Sequence, residues 1–528
     1  MVQFFKKYWN FIIFLIITTT VVLVNIRPNS LIIGLDNASP YFNPSIIVTR
    51  IKDTSAIIYG GILFQLPFLS ILYNLNITPE VISNVYVFGN FVLGILGSFF
   101  LLRNLTKDKL SPIIGSLVLL SNMVTFWIFS QPNFLFMAAY GSIPFLIYFL
   151  GIEKEKYYDW FLLTIFSISF LTVSLNLVAF GLYLLQIIVL VRVIYPKSSW
   201  KKLISWLFSL IIFWLITLQI VKIINGDTTF ILTNIFTYTK DLLNNPFMGT
   251  ITKDILASEK TNSLLHTPSF SLGWTELHDI HNIPVFTKYG LYRENLLYIF
   301  MGIVPSLIAL STIFFKKEKK NIYLTFLLLF FILISSRYGI LIIENIPYIS
   351  SALRWVSSKL WPIYIIPLIL LASTLIDEML YGKKSKLKYL LPLVLLIIMG
   401  IYSYPILNGN LLSPKTLVNI PKEYFELPQN SQILILPEPQ KLYMREYNWG
   451  YYGSDFISYI NNSKIVDASN LYETSHIYQK IIESSVVPDD IKYILFDKSV
   501  EQENNYNRIL DSFTVVNSNK YFDLYERK

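Results

Sequence analysis

The chain has 528 residues, 54% hydrophobic, 16% aromatic and only 15% charged. Soluble domains carry about 25% charged residues, so a chain this apolar cannot cover its surface with polar groups and stay dispersed in water. That excludes an ordinary cytosolic enzyme, a disordered protein and a disulfide-stapled secreted domain, and leaves a multi-span membrane protein. There is no cysteine, so structural disulfides, Cys-based zinc sites, iron–sulfur clusters and thiol catalysis are excluded too. The net charge of +9 is unevenly placed: residues 409–528 hold 12 basic and 16 acidic side chains, net −4, and residues 1–408 carry +13. The positive excess belongs to the membrane part, where it reads as an orientation signal and not as a nucleic-acid patch.

In chain order, apolar runs predict about eleven membrane helices, near 9–26, 81–102, 111–130, 133–151, 160–176, 178–195, 203–224, 294–315, 321–336, 360–380 and 389–408. Trp9, Trp160, Trp200 and Trp361 fall at or near span ends, where an amphipathic ring prefers the headgroup layer. The stretch 56–75 holds Gly60, Gly61, Gln65 and Pro67 and reads as an interfacial or re-entrant helix. With that stretch not spanning, the short basic loops alternate cleanly. They carry Lys6 and Lys7, Arg103 to Lys109, Lys154 and Lys156, Arg192 to Lys202, Lys316 to Lys320, and Lys383 to Lys388. The positive-inside rule makes these loops cytoplasmic. The expectation is a multi-pass plasma-membrane protein with a cytoplasmic N-terminus, the first span being an anchor because no small-x-small cleavage site follows it.

Outside the spans, the outer face receives loops 27–80, 225–293 and 337–359 of the membrane domain, residues 1–408, and an extracytoplasmic domain, residues 409–528. That domain reads as small α/β. Residues 431–436, 491–496 and 512–516 are apolar, β-rich runs. Residues 519–526 alternate and suggest an edge or half-buried strand. No repeat stands out.

The chain has no G-x-G-x-x-G opening a helix, no P-loop, no H-E-x-x-H and no G-x-S-x-G. Chemistry must then use carboxylates, arginines, histidines and lipid-soluble substrates. Asp36 is a lone carboxylate in an apolar stretch just after the first span, followed by Asn37 and flanked by Tyr41 and Phe42. Partial desolvation raises a carboxylate pKa and suits it to accept a proton from a sugar hydroxyl. The plainer alternative is an Asx turn before Pro40. Asp53 follows, with Arg50 and Lys52 beside it.

Gly34, Asp36, Asn43 and Pro44 in the first outer loop resemble the corresponding loop of GT-C polytopic glycosyltransferases. The similarity is nearest to the lipoteichoic-acid-glycosylating and arabinofuranosyltransferase-like membrane proteins of bacteria and archaea. The stretch 346–361, with Arg354 ahead of an apolar span, and the outer C-terminal domain fit the same class. The resemblance implies an all-α polytopic membrane domain of GT-C type with a small extracytoplasmic α/β domain. It implies a hexosyl- or pentosyltransferase that moves a sugar from a polyprenyl-phosphate donor to a cell-envelope glycan, glycolipid or protein. Where many members carry an acidic pair in the first loop, Asn37 follows Asp36 here, which favours a metal-independent base. Asp36 is the expected base. Arg354, Arg337 and Arg50 are the expected phosphate ligands, since a guanidinium pairs with phosphate oxygens through two hydrogen bonds. An interfacial arginine that only snorkels to headgroups is the alternative for each. Asn37, Tyr41, Asp53, Glu344 and Trp274 are expected to contact substrate.

His278 and His281 lie one helical turn apart, with Glu276 and Asp279 close by, a donor set that zinc or manganese accepts. A solvated loop is the plainer reading, and no cofactor is assigned. Segment 443–456, dense in aromatics and glycine, suits either an acceptor groove or a docking surface. Two other functions compete: a lipid or glycolipid transporter or flippase, and a non-catalytic envelope scaffold. Nearly charge-free spans, with Lys222, Asp377 and Glu378 close to their ends, count against a transporter.

Overall fold

The computed structural model describes residues 2–33, 66–153, 156–225, 256–257, 260–270, 291–346, 349–353, 355–381, 389–439, 444–453, 456–467, 475–501 and 505–528. The helices of the membrane part are α1 (Val2–Asn25), α2 (Leu66–Asn74), α3 (Pro79–Leu105), α4 (Ser111–Leu120), α5 (Met123–Ser130), α6 (Phe134–Gly151) and α7 (Tyr157–Leu171). They continue as α8 (Leu177–Ile194), α9 (Trp200–Asn225), α10 (Leu296–Phe315), α11 (Lys319–Ile334), α12 (Arg337–Glu344), α13 (Val356–Leu380) and α14 (Leu390–Tyr402). Among the described residues seven helices are long and apolar enough to cross a membrane, or nine if the bent pairs α4–α5 and α11–α12 each count as one. Shorter apolar helices, Trp9–Asn25 within α1 and α14 itself, occupy the first and last predicted spans.

The stretch 56–75 is described only from residue 66, and α2 has 9 residues. At 1.5 Å per residue its described part is about 13 Å long. The described residues of the predicted outer loop 337–359 are largely helical. They include α12, a turn at Ile349–Ala352 and the start of α13. α12 leaves the direction of α11 by 70°. A Cβ on Gly339 would lie 2.3 Å from the Ile334 carbonyl oxygen, so the sharp corner needs glycine there.

Breaks in helices free backbone groups, and side chains take them up. At the 46° bend between α4 and α5, the Asn122 side chain accepts from Val124 N at 2.9 Å and Thr125 Oγ1 donates to Leu119 O at 2.6 Å. Pro362 inside α13 has no N–H, which leaves Ser358 O without its helical donor. The Tyr183 hydroxyl of α8 donates to that carbonyl and itself accepts from Trp361 Nε1 at 2.8 Å. Gln186, one turn on, donates to Lys359 O at 2.7 Å and accepts from Ile363 N at 3.3 Å. Close packing supplies the rest. α3 and α6 approach so tightly that a Cβ on Gly94 would fall 2.2 Å from the Tyr140 ring.

The bundle has two distinct ends. At the end with the basic clusters, Asp377 Oδ1 accepts from Lys107 N and Asp108 N at 2.9 and 2.6 Å, and Lys316 pairs with Glu378 at 2.5 Å. These carboxylates tie together the ends of α3, α10 and α13. At the far end the chain returns to its start. β1 (Leu31–Ile32) pairs antiparallel with β2 (Leu417–Val418).

Beyond β2 come β3 (Gln432–Leu436), β4 (Arg445–Glu446), β5 (Tyr452–Gly453), β6 (Lys464–Val466), β7 (Tyr493–Asp497), β8 (Phe513–Ser518) and β9 (Phe522–Arg527). Five of them form a sheet in the order β6-β3-β7-β9-β8, with β6, β3 and β7 parallel and the β8–β9 hairpin antiparallel. β9 is half-buried as its alternation predicts, with Phe522 and Leu524 inside, but it lies within the sheet and β8 takes the edge. In segment 443–456, Tyr447, Tyr451 and Phe456 are buried and pack on one another at 5.2 to 5.5 Å, so its described part forms core and not an open groove. The buried Arg445 forks onto the buried Asp467 through two hydrogen bonds of 2.7 and 2.5 Å.

Asp497, fully buried at the end of β7, accepts from the Tyr424 hydroxyl at 2.7 Å and from Ser499 N at 2.9 Å. Burial pushes its carboxyl up to about 6. A carboxyl raised on folding stabilises the fold while protonated. Its contribution is complete below the ordinary value near 4 and is lost as pH rises through about 6. A gap of roughly two units corresponds to about 3 kcal/mol. Hydrogen exchange of β3 and β7, corrected for intrinsic rate, is expected to lose protection between pH 4 and 6.5. Asp497→Asn should flatten that dependence; equal slopes in both proteins would contradict this account.

Candidate functional site

The far end of the bundle is built around three polar junctions. The first joins α1, α3 and the start of the C-terminal region. Buried Asn25 donates to Ile406 O at 2.6 Å and accepts from Leu411 N at 2.9 Å. Buried Asn84 accepts from Arg27 N and donates to Arg27 O, both at 2.9 Å. Ile32 N donates to Ser83 Oγ at 3.1 Å, and Ile33 N to Thr416 O at 3.1 Å. The chain is thus fixed on both sides up to Ile33. Arg27 braces this junction, with its guanidinium on Gly409 O at 2.6 Å and Val24 O at 2.9 Å. It is a structural arginine.

The second junction is the segment from Asn262 to Phe270. The sequence places it in an outer loop, yet it enters the bundle between α10, α11 and α13. Pro268 O accepts from Ser306 Oγ at 2.5 Å and from the Tyr364 hydroxyl at 2.9 Å. Phe270, fully buried with φ +58°, lies 5.8 Å from the ring of Phe331 and 5.3 Å from that of Tyr364. Its apolar ring explains the insertion.

The third is the head of α13. α3, α6, α8, α10 and α13 all begin at this end, so their positive dipole ends gather here. Asn133, Asn176 and Asn295 cap three of them by accepting from Leu135 N, Ala179 N and Leu297 N at 3.1, 3.0 and 2.9 Å. α13 is different. Its N-cap position is Trp355, which brings no capping oxygen and has φ +55°, a strained backbone for a non-glycine residue. Lys359, one turn in, is only 6% exposed. The sequence reading started this span at residue 360 and so left the lysine in a loop. A cation at the head of an apolar run is the signal that would have found it.

Of the expected site residues, Arg337 and Glu344 are described. Arg337 is exposed at the first position of α12, where its N–H donates to Asn262 O at 2.8 Å. Glu344 ends the same helix and pairs with Lys260 at 2.5 Å, both partly exposed. Seven helical steps separate Arg337 from Glu344, about 10 Å. Asp36, Asn37, Tyr41, Arg50, Asp53, Trp274, His278, His281 and Arg354 lie outside the described residues. Among the described residues no three histidines or carboxylates gather as a metal site would require.

No protein-family model and no curated protein matches the sequence. The fold does match. The cryo-EM structure of the arabinofuranosyltransferase AftD from Mycobacteria superposes with a TM-score of 0.59 and 12% identity, over 99% of this chain and 40% of that one. The fold is GT-C-like. A mutant of AftD in a second cryo-EM class gives a TM-score of 0.54 and 12% identity, over 97% of this chain and 41% of the other. This chain therefore spans about two-fifths of AftD's length, and at such identity the likeness is one of fold.

The Pro268 junction is testable. Ser306→Ala or Tyr364→Phe alone leaves that carbonyl one donor; together they leave none in a dry site. The double variant should lose about 1–3 kcal/mol beyond the sum of the singles, read as thermal unfolding in detergent.

Proposed function

We propose that the chain is a GT-C-type glycosyltransferase that transfers a sugar from a polyprenyl-phosphate donor to a cell-envelope glycan, glycolipid or protein. The outer-face orientation drawn from the basic loops is part of this reading. Nucleotide sugars are confined to the cytoplasm, so a donor on the outer face must be carried by a lipid. The observation that carries the proposal is the match to AftD, an arabinofuranosyltransferase by its name, along 99% of this chain.

In the proposed reaction Asp36 accepts the proton of the acceptor hydroxyl. The acceptor oxygen bonds to the anomeric carbon, and the carbon–phosphate oxygen bond breaks. The electron pair leaves with the polyprenyl phosphate, whose growing negative charge needs cations. Arg354 is assigned first to that phosphate, then Arg337 and Arg50. Lys359 joins them, because a charge buried at the head of a membrane helix is expensive and is kept for function. Asn37, Tyr41, Asp53, Glu344 and Trp274 are assigned to substrate contact. Glu344 would have to exchange its Lys260 pair for a sugar hydroxyl, an inexpensive exchange for a half-exposed ion pair.

The test uses the full chain in membranes supplied with polyprenyl-phosphate pentose or hexose and an envelope glycan acceptor. Asp36→Asn should lower transfer by about 10²–10⁴-fold with thermal stability unchanged. Arg354→Ala should lower it by about 10²-fold. Undiminished transfer by Asp36→Asn would remove that carboxylate from the mechanism.

A further inference from the structure

The basic end of the bundle holds a cavity of about 740 Å³ between the ends of α3, α6, α7 and α8. That volume falls within the range of about 300–1,000 Å³ seen in small-molecule sites. It lies at the opposite end of α3 and α6 from the candidate transfer site. Its inner wall is aromatic: Phe100 of α3 faces Phe145 at 6.1 Å, and Phe145 stacks with Phe149 at 6.1 Å. Phe100 is 39% exposed, so this wall is open to an apolar ligand.

The mouth is polar, and most of its groups are already engaged. Asn104 Nδ2 donates to the Tyr195 hydroxyl at 3.1 Å, and Asp159 caps α7 by accepting from Lys156 N at 2.7 Å. Lys202 Nζ donates to Ile152 O at 3.3 Å, at the carbonyl end of α6. Two charges of opposite sign have no ion-pair partner among the described residues, although Tyr158 and Asp159 lie near Lys156. The Lys156 ammonium stands 5.5 Å from the Tyr158 ring centroid and forms no ion pair among the described residues. The Glu153 carboxylate is exposed and likewise forms none there.

A pocket that is apolar within and carries both signs at its mouth, where membrane helices end, has the layout of one lipid. An anionic headgroup would satisfy Lys156 but leave the exposed Glu153 carboxylate unpaired and beside a like charge. A head with one phosphate and one ammonium pairs with both groups, and a primary ammonium also donates hydrogen bonds to a carboxylate. We propose that this cavity binds a single zwitterionic phospholipid of the ethanolamine type. Its phosphate lies toward Lys156 and Asn104, its ammonium toward Glu153, and an acyl chain along Phe100, Phe145 and Phe149.

The test is native mass spectrometry of the full chain released from nanodiscs holding equal amounts of dioleoyl phosphatidylethanolamine and dioleoyl phosphatidylglycerol. The expected result is one retained ethanolamine lipid, favoured several-fold over the glycerol lipid. Glu153→Lys, on an exposed loop, should invert that preference. Leu162→Trp, which fills the cavity from α7, should abolish retention while the unfolding temperature holds. Equal retention of both lipids, no retained lipid, or a preference unmoved by Glu153→Lys would overturn the proposal and leave only ordinary annular contact.

Discussion

A polar backbone group in a bilayer has no water to turn to, and that constraint organises this fold. At several interruptions of the bundle's helices a side chain from another element or from the next turn supplies the missing partner. Tyr183 takes the carbonyl that Pro362 frees, and Gln186 spans the opened turn between Lys359 and Ile363. Thr125 does the same at the α4–α5 corner. Ser306 and Tyr364 do it for Pro268. These interruptions are thereby tied to particular neighbours and become fixed points of the architecture.

These fixed points concentrate at the end where the bundle meets the C-terminal sheet. Asn25, Ser83 and Asn84 hold the chain after α1, and Ser413 N donates to Ser130 O at 3.0 Å. The strand that leads out of α1 toward the first long loop is held on one side by α3 and on the other by β2. The head of α13 combines a left-handed Trp355, a buried Lys359 and the proline-broken turn within eight residues. A rigid surround with local strain is the setting in which a charged transfer site can be held without reorganisation. The proposed function and the fold therefore draw on the same junctions.

Much of this was legible from the residues. Long apolar runs mark helices because a spanning segment must be apolar over about twenty residues, and all eleven runs are helical in the structure. The strands at 432–436, 493–497 and 522–527 were marked by β-branched and alternating residues. Three features were not legible. β6 has three residues, too few for periodicity to register. The corner at Gly339 turns an apparent loop into α12, because helix direction depends on contacts and not on composition. Phe270 draws part of a long polar loop into the bundle, and one aromatic in such a loop carries no sign of its destination.

The sequence by itself determined the solvent of each segment. Apolar content marked this as a polytopic membrane chain, since transfer energies depend on residue type alone. It also singled out Asp36 and Arg354 as rare charges beside apolar spans. Tertiary structure decided which polar groups meet. It turned Arg27 into a brace, gave Asp377 to a helix end and gave Glu344 to Lys260. It buried Lys359 at a helix head and opened a cavity of about 740 Å³ between four helix ends. Pairing energies depend on distance and burial, and those exist only once the helices have packed.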